Sequence, residues 1–255
     1  MELYHGCQNR FAITEEKHYI EHPQEAIQIC LEYEVDGLIV FIKNPLKMVL
    51  LNADGSVASM CGNGIQCFVK YGVDQHYITQ DHFTVKTLAG EKQIEILSKN
   101  PFVARVNLGV PSFSAKKMGI DIEEEELFGQ EVKLLGKNYS LYAVWTGTDH
   151  VVIPVSDFKA IDAIGPLLGR NKLFKGGINV NFMRVVDKHH IEVRTFERGV
   201  GWTKACGTGS SASVVVANRL GLVEDNVNVT LLGGDLTIEL IDKNVFMTGP
   251  AVKMD

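Results

Sequence analysis

Two short stretches of the sequence place a cysteine directly before a glycine-rich turn and an apolar run. The first reads C-G-N-G-I-Q-C from Cys61, and the second reads C-G-T-G-S-S-A from Cys206. If each run is helical, each cysteine lies at a helix N-terminus, where unpaired N–H groups and the helix dipole stabilise a thiolate. The glycines let the backbone approach a ligand, and the N–H groups favour a carboxylate. The pattern predicts two activated thiols beside carboxylate-binding helix starts.

Two such thiols on opposite sides of a bound amino acid would invert its stereocentre. One thiolate would remove the proton from Cα while the opposite thiol supplies a proton to the other face. The helix-start N–H groups would stabilise the enolate-like charge that develops on the carboxylate. Exclusion of water by a closed cleft would strengthen that effect. This chemistry needs no cofactor, and no residue pattern points to a Schiff-base lysine for pyridoxal phosphate.

Composition excludes several other classes of protein. The 255 residues carry a formal net charge of −6 with scattered basic residues, so neither nucleic acid nor an anionic membrane is an expected partner. No stretch approaches the ~18 consecutive apolar residues of a membrane helix, and the N-terminus lacks the pattern of a secretory signal. A cytoplasmic protein is therefore expected. A zinc site is not, because the sequence contains no C-x-x-C or close Cys/His pair.

The elements that must position these residues repeat along the chain. Cys206 follows Cys61 by 145 positions, and Gly234 in V-T-L-L-G-G follows Gly90 in V-K-T-L-A-G by 144. Each motif follows a strand-like stretch and precedes further strand-like stretches, which indicates a duplicated unit. Helices are predicted over 23–33, after Cys61 and over 210–220. The stretch 144–155 reads as a strand, and the acidic run 121–126 reads as a solvated helix face.

The predicted fold is α/β (α+β), with two pseudo-symmetric domains. Each is expected to be a strand-rich sheet or barrel wrapped round a central helix, with the active site in the cleft between them. The first domain is predicted to span 1–114 and the second 115–244. The strand near 245–255 is expected to pack back onto the first domain.

The sequence resembles the diaminopimelate epimerase family over nearly its whole length. The resemblance is strongest at N-A-D-G-S-V-A-S-M-C-G-N-G (52–64) and over 179–209, which ends in E-R-G-V-G-W-T-K-A-C-G-T-G. It implies a cofactor-independent epimerase of bacterial lysine and peptidoglycan precursor synthesis, acting on LL-diaminopimelate to give the meso form. It also implies a homodimer.

The resemblance implies roles for particular residues. Cys61 and Cys206 would be the catalytic pair, assisted by His150 and Glu197. The reacting end of the substrate would meet the two helix starts, and the distal end would meet residues at strand ends. The substrate-binding residues implied in this way are Asn9, Asn52, Gly62, Asn63, Thr148, Asn179, Glu197, Arg198, Gly207 and Thr208.

Three positions depart from the family pattern. Arg10 replaces the aspartate of N-D-F, Thr148 replaces the asparagine of G-N-P-H, and Trp202 replaces the glutamate of G-x-G-E-T. An asparagine exchanged for threonine loses an amide donor, and indole in place of a carboxylate adds aromatic surface. These changes make a racemase of another amino acid, for example histidine, the main alternative. Trp202 is compatible with either a core or a pocket-lining position.

The sequence is also compatible with other functions. One is an isomerase similar to phenazine-biosynthesis proteins, without thiol catalysis. Others are a module that only binds an amino acid, and a thiol redox protein. Each cysteine also has a plain structural interpretation, because a thiol is often a core residue. That interpretation is preferred for Cys7, Cys30 and Cys67 but not for the duplicated pair.

Overall fold

The computed structural model describes residues 1–254, which form two compact units. Unit 1 combines the first part of the chain, Met1–Leu108, with the segment from Met247 onward, whereas unit 2 is the continuous segment Gly109–Phe246. The sequence analysis placed the division after residue 114. The chain therefore leaves unit 1, builds unit 2 and then returns to unit 1.

Unit 1 is rich in strands and contains one long buried helix. Its elements are β1 Glu2–Gly6, β2 Asn9–Thr14, α1 His18–Glu21, α2 Pro23–Tyr33, β3 Gly37–Ile42, β4 Lys47–Asn52, β5 Val57–Ala58, α3 Gly62–Asp74, β6 His82–Thr87, β7 Gly90–Lys99 and β8 Phe102–Gly109. At the end of the chain β17 (Asn244–Pro250) crosses into unit 1, and β18 (Val252–Lys253) pairs antiparallel with β1.

Unit 2 is also rich in strands. Its elements are β9 Phe128–Leu134, β10 Lys137–Trp145, β11 Asp149–Pro154, α4 Ile161–Gly169, β12 Asn179–Asp187, β13 His190–Glu197, β14 Gly201–Thr203, α5 Gly207–Arg219, β15 Asn226–Leu231 and β16 Gly234–Ile241.

Both units use one order of strand pairing. In unit 1, β1 pairs antiparallel with β2, β2 parallel with β3, and β3 antiparallel with β4. In unit 2, β10, β11, β12 and β13 repeat those three pairings in the same order. Parallel strands need a long crossover connection, which is usually helical. The connection contains α2 in unit 1 and α4 in unit 2. The predicted strand-rich, duplicated fold is thereby confirmed.

A buried helix follows β5 in unit 1 and β14 in unit 2. Residues 207–217 of α5 are all buried, and most of α3 is buried as well. A helix buried on all sides cannot leave polar groups unsatisfied. In α5 the hydroxyls of Ser210, Ser211 and Ser213 each donate to the carbonyl four residues earlier, at 2.8–2.9 Å. Serine is therefore compatible with this core helix.

Two local predictions were wrong. The stretch 144–155 forms two strands rather than one, because the chain turns between β10 and β11 and Gly147 has a φ of 98° there. The acidic run 121–126 is not helical, and four consecutive glutamates repel one another without an apolar face to bury. The helix predicted over 23–33 is confirmed as α2, and both glycine motifs open helices.

No helix among residues 1–254 combines the length and apolar character needed to span a membrane.

Candidate active site

Cys61 is the N-cap of α3. Its backbone is extended, with φ −143° and ψ 122°, and its sulfur accepts a hydrogen bond from the Gly64 N–H at 3.4 Å. The thiol also donates to Asn9 Oδ1 at 3.8 Å. The sulfur therefore lies over the first turn of the helix, where the dipole and the N–H group favour its thiolate form.

Cys206 occupies the same position on α5. Its backbone is again extended, with φ −131° and ψ 107°, and its sulfur lies 3.6 Å from Thr208 Oγ1. The residue is 7% exposed. Both cysteines are thus N-caps with an extended backbone, but the Cys61 sulfur makes a side-chain cap hydrogen bond to its helix and the Cys206 sulfur does not.

The second glycine of each motif makes room for the cysteine sulfur. A Cβ at Gly64 would lie 3.5 Å from Cys61 Sγ, and a Cβ at Gly209 would lie 3.2 Å from Cys206 Sγ. A side chain at Gly209 would crowd the Cys206 sulfur, whereas the distance at Gly64 is an ordinary contact with the Cys61 sulfur. The steric need for a glycine at the second position is therefore stricter on α5 than on α3.

Asn9 reaches Cys61 from the start of β2. Its side-chain nitrogen donates to Asp36 Oδ2 at 2.8 Å, and the Arg10 N–H donates to the same oxygen at 2.7 Å. Asp36 therefore fixes which end of the Asn9 amide faces the sulfur. Sequence reasoning missed Asp36, although its place in D-G directly before an apolar strand is the signal that would have indicated it.

The other predicted residues of unit 1 lie near the ends of their elements. Gly62 and Asn63 are buried in the first turn of α3. Asn52 ends β4, where its side-chain nitrogen donates to Ser56 Oγ at 2.9 Å. The nearby Cys7 is buried at a tight turn with φ 49°.

In unit 2, His150 is completely buried on β11. Its Nε2 lies 2.8 Å from Thr148 Oγ1 and 3.0 Å from Thr208 Oγ1, and its Nδ1 lies 3.1 Å from Asn181 Nδ2. Burial, together with the positive charge of Arg198, lowers the pKa of His150 to about 3. The ring is therefore neutral at physiological pH.

Asn181 was absent from the predicted site, yet it contacts His150. The signal lies in N-V-N at the start of β12, because alternate residues of a strand share one face. Asn181 is therefore on the same face as Asn179, which the sequence analysis did single out. Thr208 links this group to the glycine motif, since it belongs to the first turn of α5.

Asn179 and Arg198 are tied to each other and to β11. The Asn179 amide donates to the Asp149 carbonyl at 2.8 Å and accepts from the Arg198 N–H at 3.0 Å. The Arg198 guanidinium donates to the Gly177 carbonyl at 3.2 Å and lies 3.6 Å from the Asp149 carboxylate. Next to it, Glu197 accepts from Thr203 Oγ1 at 2.7 Å.

A cavity of about 760 Å³ in unit 2 is lined by residues from 169–177 and 196–201, including Glu197 and Arg198. Three further cationic side chains, Arg170, Lys172 and Lys175, contribute to its wall. A wall with this excess of positive charge suits an anionic group such as a carboxylate.

Two of the departures from the family pattern lie close to these residues. The Thr148 hydroxyl contacts the His150 ring, as described above. Trp202 is 38% exposed and packs against Phe196 and Phe182, with ring centroids 5.5 and 5.9 Å apart. Trp202 thus packs against two aromatic side chains and keeps part of its surface in solvent, and it is not among the residues that line the cavity described above.

Comparison with known proteins agrees with the duplicated architecture. A family model for diaminopimelate epimerase matches residues 2–114 and 142–254. The diaminopimelate epimerase of Caldanaerobacter subterraneus subsp. tengcongensis is 36% identical over 96% of this chain and 93% of its own length. Those of Clostridium perfringens and Methanothermobacter thermautotrophicus are 36% and 33% identical, each over 97% of this chain and 94% of their own length.

Solved structures share the fold at low identity. A probable proline racemase from Agrobacterium radiobacter superposes with a TM-score of 0.74 at 13% identity, covering 99% of this chain and 90% of that one. A hydroxyproline epimerase from Agrobacterium vitis gives 0.73 at 12% identity, with 99% and 88% covered. A phenazine biosynthesis protein from Bacillus anthracis gives 0.71 at 13% identity, with 100% and 96% covered.

Those structures establish the fold alone, since it carries racemases and phenazine biosynthesis proteins alike. The assignment to a family therefore depends on the sequence matches, which extend through both halves of the chain and include both cysteine motifs. The chain belongs to the diaminopimelate epimerase family and is an isomerase of the epimerase class.

Proposed function

We propose that this protein converts LL-diaminopimelate into meso-diaminopimelate, without a cofactor, by proton transfer through Cys61 and Cys206. The observation that carries the proposal is the repeated geometry of the two thiols. Each is the extended N-cap of a buried helix, with a glycine leaving room for its sulfur. A single activated thiol would suit many reactions, whereas a matched pair in a chain of this family suits inversion of one carbon.

In the proposed reaction the thiolate of one cysteine removes the α-proton. The C–H electron pair passes into the carboxylate, and an S–H bond forms. The opposite thiol then gives its proton to the other face of Cα, the charge returns from the carboxylate, and that sulfur becomes the thiolate. The two cysteines have exchanged protonation states, so the reverse reaction uses them in opposite roles.

The N–H groups at the starts of α3 and α5 stabilise the charge that develops on the reacting carboxylate. Gly62, Asn63, Gly207 and Thr208 supply the backbone of those first turns. Donors already aimed at a developing oxyanion require little reorganisation during the reaction. His150 and Glu197 are assigned to assist the two thiols, and His150 is linked to Cys206 through the Thr208 hydroxyl.

The distal end of the substrate is an amino acid as well, and its recognition is assigned to Asn52, Asn179 and Arg198, with the Glu197 backbone nearby. The cationic cavity beside Arg198 supports a distal carboxylate, because a guanidinium binds a carboxylate through two parallel hydrogen bonds. Arg198 lies near Asp149 and Gly177. Binding of a carboxylate would compete with those contacts.

The departures from the family pattern favour a different amino acid as the alternative substrate. Thr148 and Trp202 differ from the family pattern, and Trp202 packs against Phe196, whose side chain also borders the cationic cavity. A pocket altered in this way is compatible with a different distal group, such as an imidazole. Racemisation of histidine or another amino acid by the same two thiols is therefore the alternative.

The decisive experiment is proton exchange in D₂O, followed by NMR of the α-proton. Reduced protein is incubated separately with LL-diaminopimelate, histidine, glutamate, lysine and alanine. Exchange and inversion with diaminopimelate alone are expected. Exchange with another amino acid instead would replace the substrate but keep the mechanism, and absence of exchange with every compound would contradict the proposed reaction.

Single cysteine variants test the mechanism. Cys61→Ala and Cys206→Ala are each expected to lower kcat for epimerisation about 10³-fold or more, because each removes one proton-transferring group. Cys30→Ala is the control, since Cys30 is buried on α2 away from the helix starts. Substantial epimerisation by either of the first two variants would exclude the two-base mechanism.

In the cell, we place this reaction in the cytoplasm, in the synthesis of lysine and peptidoglycan precursors, and we propose a homodimer. Sedimentation equilibrium of the purified protein tests the oligomeric state, with the mass of two chains as the expected result.

A further inference from the structure

The hydrogen bonds of His150 raise the question of which ring nitrogen carries the hydrogen. A neutral imidazole has one donor nitrogen and one acceptor nitrogen. Asn181 contacts Nδ1, and two threonine hydroxyls contact Nε2. The position of this hydrogen determines whether those hydroxyls accept from the ring or donate to it.

The orientation of the Asn181 amide answers that question. Its nitrogen lies 3.1 Å from the Val151 carbonyl oxygen as well as 3.1 Å from His150 Nδ1, while its oxygen accepts from Thr195 Oγ1 at 3.0 Å. A carbonyl only accepts, so the amide nitrogen must face Val151. The two hydrogens of that nitrogen then point at the Val151 carbonyl and at Nδ1. His150 Nδ1 is therefore the acceptor, and Nε2 carries the hydrogen.

This tautomer has a consequence at the glycine motif. Because Nε2 donates, it cannot accept a hydrogen bond from Thr208. The Thr208 hydroxyl also receives a contact from Thr148 Oγ1 at 3.5 Å. Its own single hydrogen is left to point at the Cys206 sulfur, 3.6 Å away. A hydroxyl that donates to sulfur stabilises the thiolate.

We propose that Asn181 is a positioning residue, which holds His150 in the Nε2–H tautomer so that Thr208 donates its hydroxyl hydrogen to Cys206. The inference depends on the proposed function only in taking Cys206 as a proton-transferring group. The hydrogen-bond chain Asn181–His150–Thr208–Cys206 is internal to unit 2.

Packing around Asn181 agrees with this role. Asn181 and Thr195 are both buried, and Asn181 Oδ1 lies so close to α5 that a Cβ at Gly209 would overlap it. The second glycine of the motif thus makes room for both the sulfur and the amide. Asp149, which adjoins His150 in the sequence, lies 3.6 Å from Arg198. The Arg198 charge disfavours a protonated His150 and so helps to keep the ring neutral.

The first test reads the tautomer directly. Protein labelled with ¹⁵N-histidine is studied by NMR that correlates the ring nitrogens with the ring hydrogens. The hydrogen of His150 is expected on Nε2 in the wild type. In Asn181→Asp a carboxylate oxygen faces Nδ1, so the hydrogen is expected on Nδ1. A wild-type ring with its hydrogen on Nδ1 would overturn the proposal.

The second test measures the reactivity of the Cys206 sulfur. The rate of iodoacetamide alkylation at Cys206 is measured against pH by peptide mass spectrometry, with Cys61 in the same sample as the internal reference. Thr208→Val keeps the shape of the side chain but removes the donor, and about tenfold slower alkylation of Cys206 at pH 7 is expected. Thr208→Ser retains a hydroxyl, so the rate of Cys206 alkylation in this variant is expected to match that of the wild type.

These two readouts need no substrate, so they separate this proposal from the proposed reaction. Asn181→Asp is also expected to slow alkylation of Cys206, and in epimerisation to lower kcat with little change in KM. If circular dichroism shows that Asn181→Asp does not fold, the proposal is still tested by the wild-type tautomer and by the comparison of Thr208→Val with Thr208→Ser. Equal alkylation profiles of Cys206 in Thr208→Val and Thr208→Ser would refute the role of the hydroxyl.

Discussion

His150 shows how one residue couples the stability of unit 2 to pH. Burial lowers its pKa from an ordinary value of 6.5 to about 3 in the folded protein. Between these values the unfolded chain binds a proton at this residue and the folded chain does not. Stability therefore rises with pH across that window and falls on acidification.

We expect the contribution of His150 to reduce the free energy of unfolding by about 2 kcal/mol between pH 7 and pH 5. Urea unfolding of the wild type and His150→Gln at both pH values measures this difference, because the variant retains every other titrating group. An NMR titration of the His150 ring is an independent check. The prediction would fail if both proteins lost the same stability, or if the ring titrated near pH 6.5.

At the scale of elements, the two cysteine helices look equivalent in sequence but differ in how tightly their second glycine is packed. A Cβ at Gly64 would meet Cys61 Cβ at 3.2 Å and its sulfur at 3.5 Å, whereas a Cβ at Gly209 would overlap the Asn181 amide oxygen. The start of α3 can accommodate a methyl group by a small shift. The start of α5 cannot do so without moving Asn181.

Gly209→Ala is therefore expected to lower kcat/KM about 10²-fold or more, because a displacement of the reacting groups by about 1 Å has that effect. Gly64→Ala is the matched variant on α3, and about tenfold or less is expected for it. Steady-state kinetics with the proposed substrate gives both values, and circular dichroism checks the fold. Equal losses would show that the Asn181 contact does not distinguish the two helices.

Elements with regular patterns could be predicted from sequence, and α4 shows why others could not. The helix α2 has the spacing of an amphipathic helix and a proline at its first position. In contrast, α4 contains Gly165 and Pro166, which disfavour a helix locally. Tertiary packing stabilises α4 despite them, since a Cβ at Gly165 would lie 2.9 Å from the Trp202 ring and 3.1 Å from Phe196.

The candidate site likewise contains residues that sequence patterns identify and residues that they do not. Cys61 and Cys206 could be identified because their motif is local and occurs twice. Asn181 and Asp36 act through contacts with residues 31 and 27 positions away, His150 and Asn9, and no local pattern reports such pairings. Strand alternation indicates only that Asn181 shares a face with Asn179. Its hydrogen bonds depend on the parallel register of β11 and β12, which the sequence does not reveal.

At the scale of the whole molecule, unit 1 depends on the end of the chain. Val252 and Lys253 of β18 pair with His5 and Tyr4 of β1, and the Met254 N–H donates to the Leu3 carbonyl at 2.8 Å. The adjoining Ala251 is buried. Loss of these residues would leave backbone groups of β1 without partners.

Deletion of residues 251–255 is therefore expected to destabilise unit 1 by about 3 kcal/mol or more. Cys67 is fully buried in unit 1, so its rate of alkylation measures the opening of that unit. Lys253→Ala is the control, because it removes only an exposed ion pair with Glu2, worth about 1 kcal/mol or less. Slow alkylation of Cys67 in the truncated protein would contradict this dependence.

The route of the chain also has a consequence for synthesis on the ribosome. Translation delivers the first 108 residues of unit 1 early, but the strand that completes its edge is made only after the whole of unit 2. Unit 2 is continuous, so all of its sequence has emerged before unit 1 is whole. Since domains fold as units, the second unit in the sequence is the first that can finish folding. The nascent first unit, with Cys61 at its helix start, must wait with an unpaired β1 edge until β18 has been made.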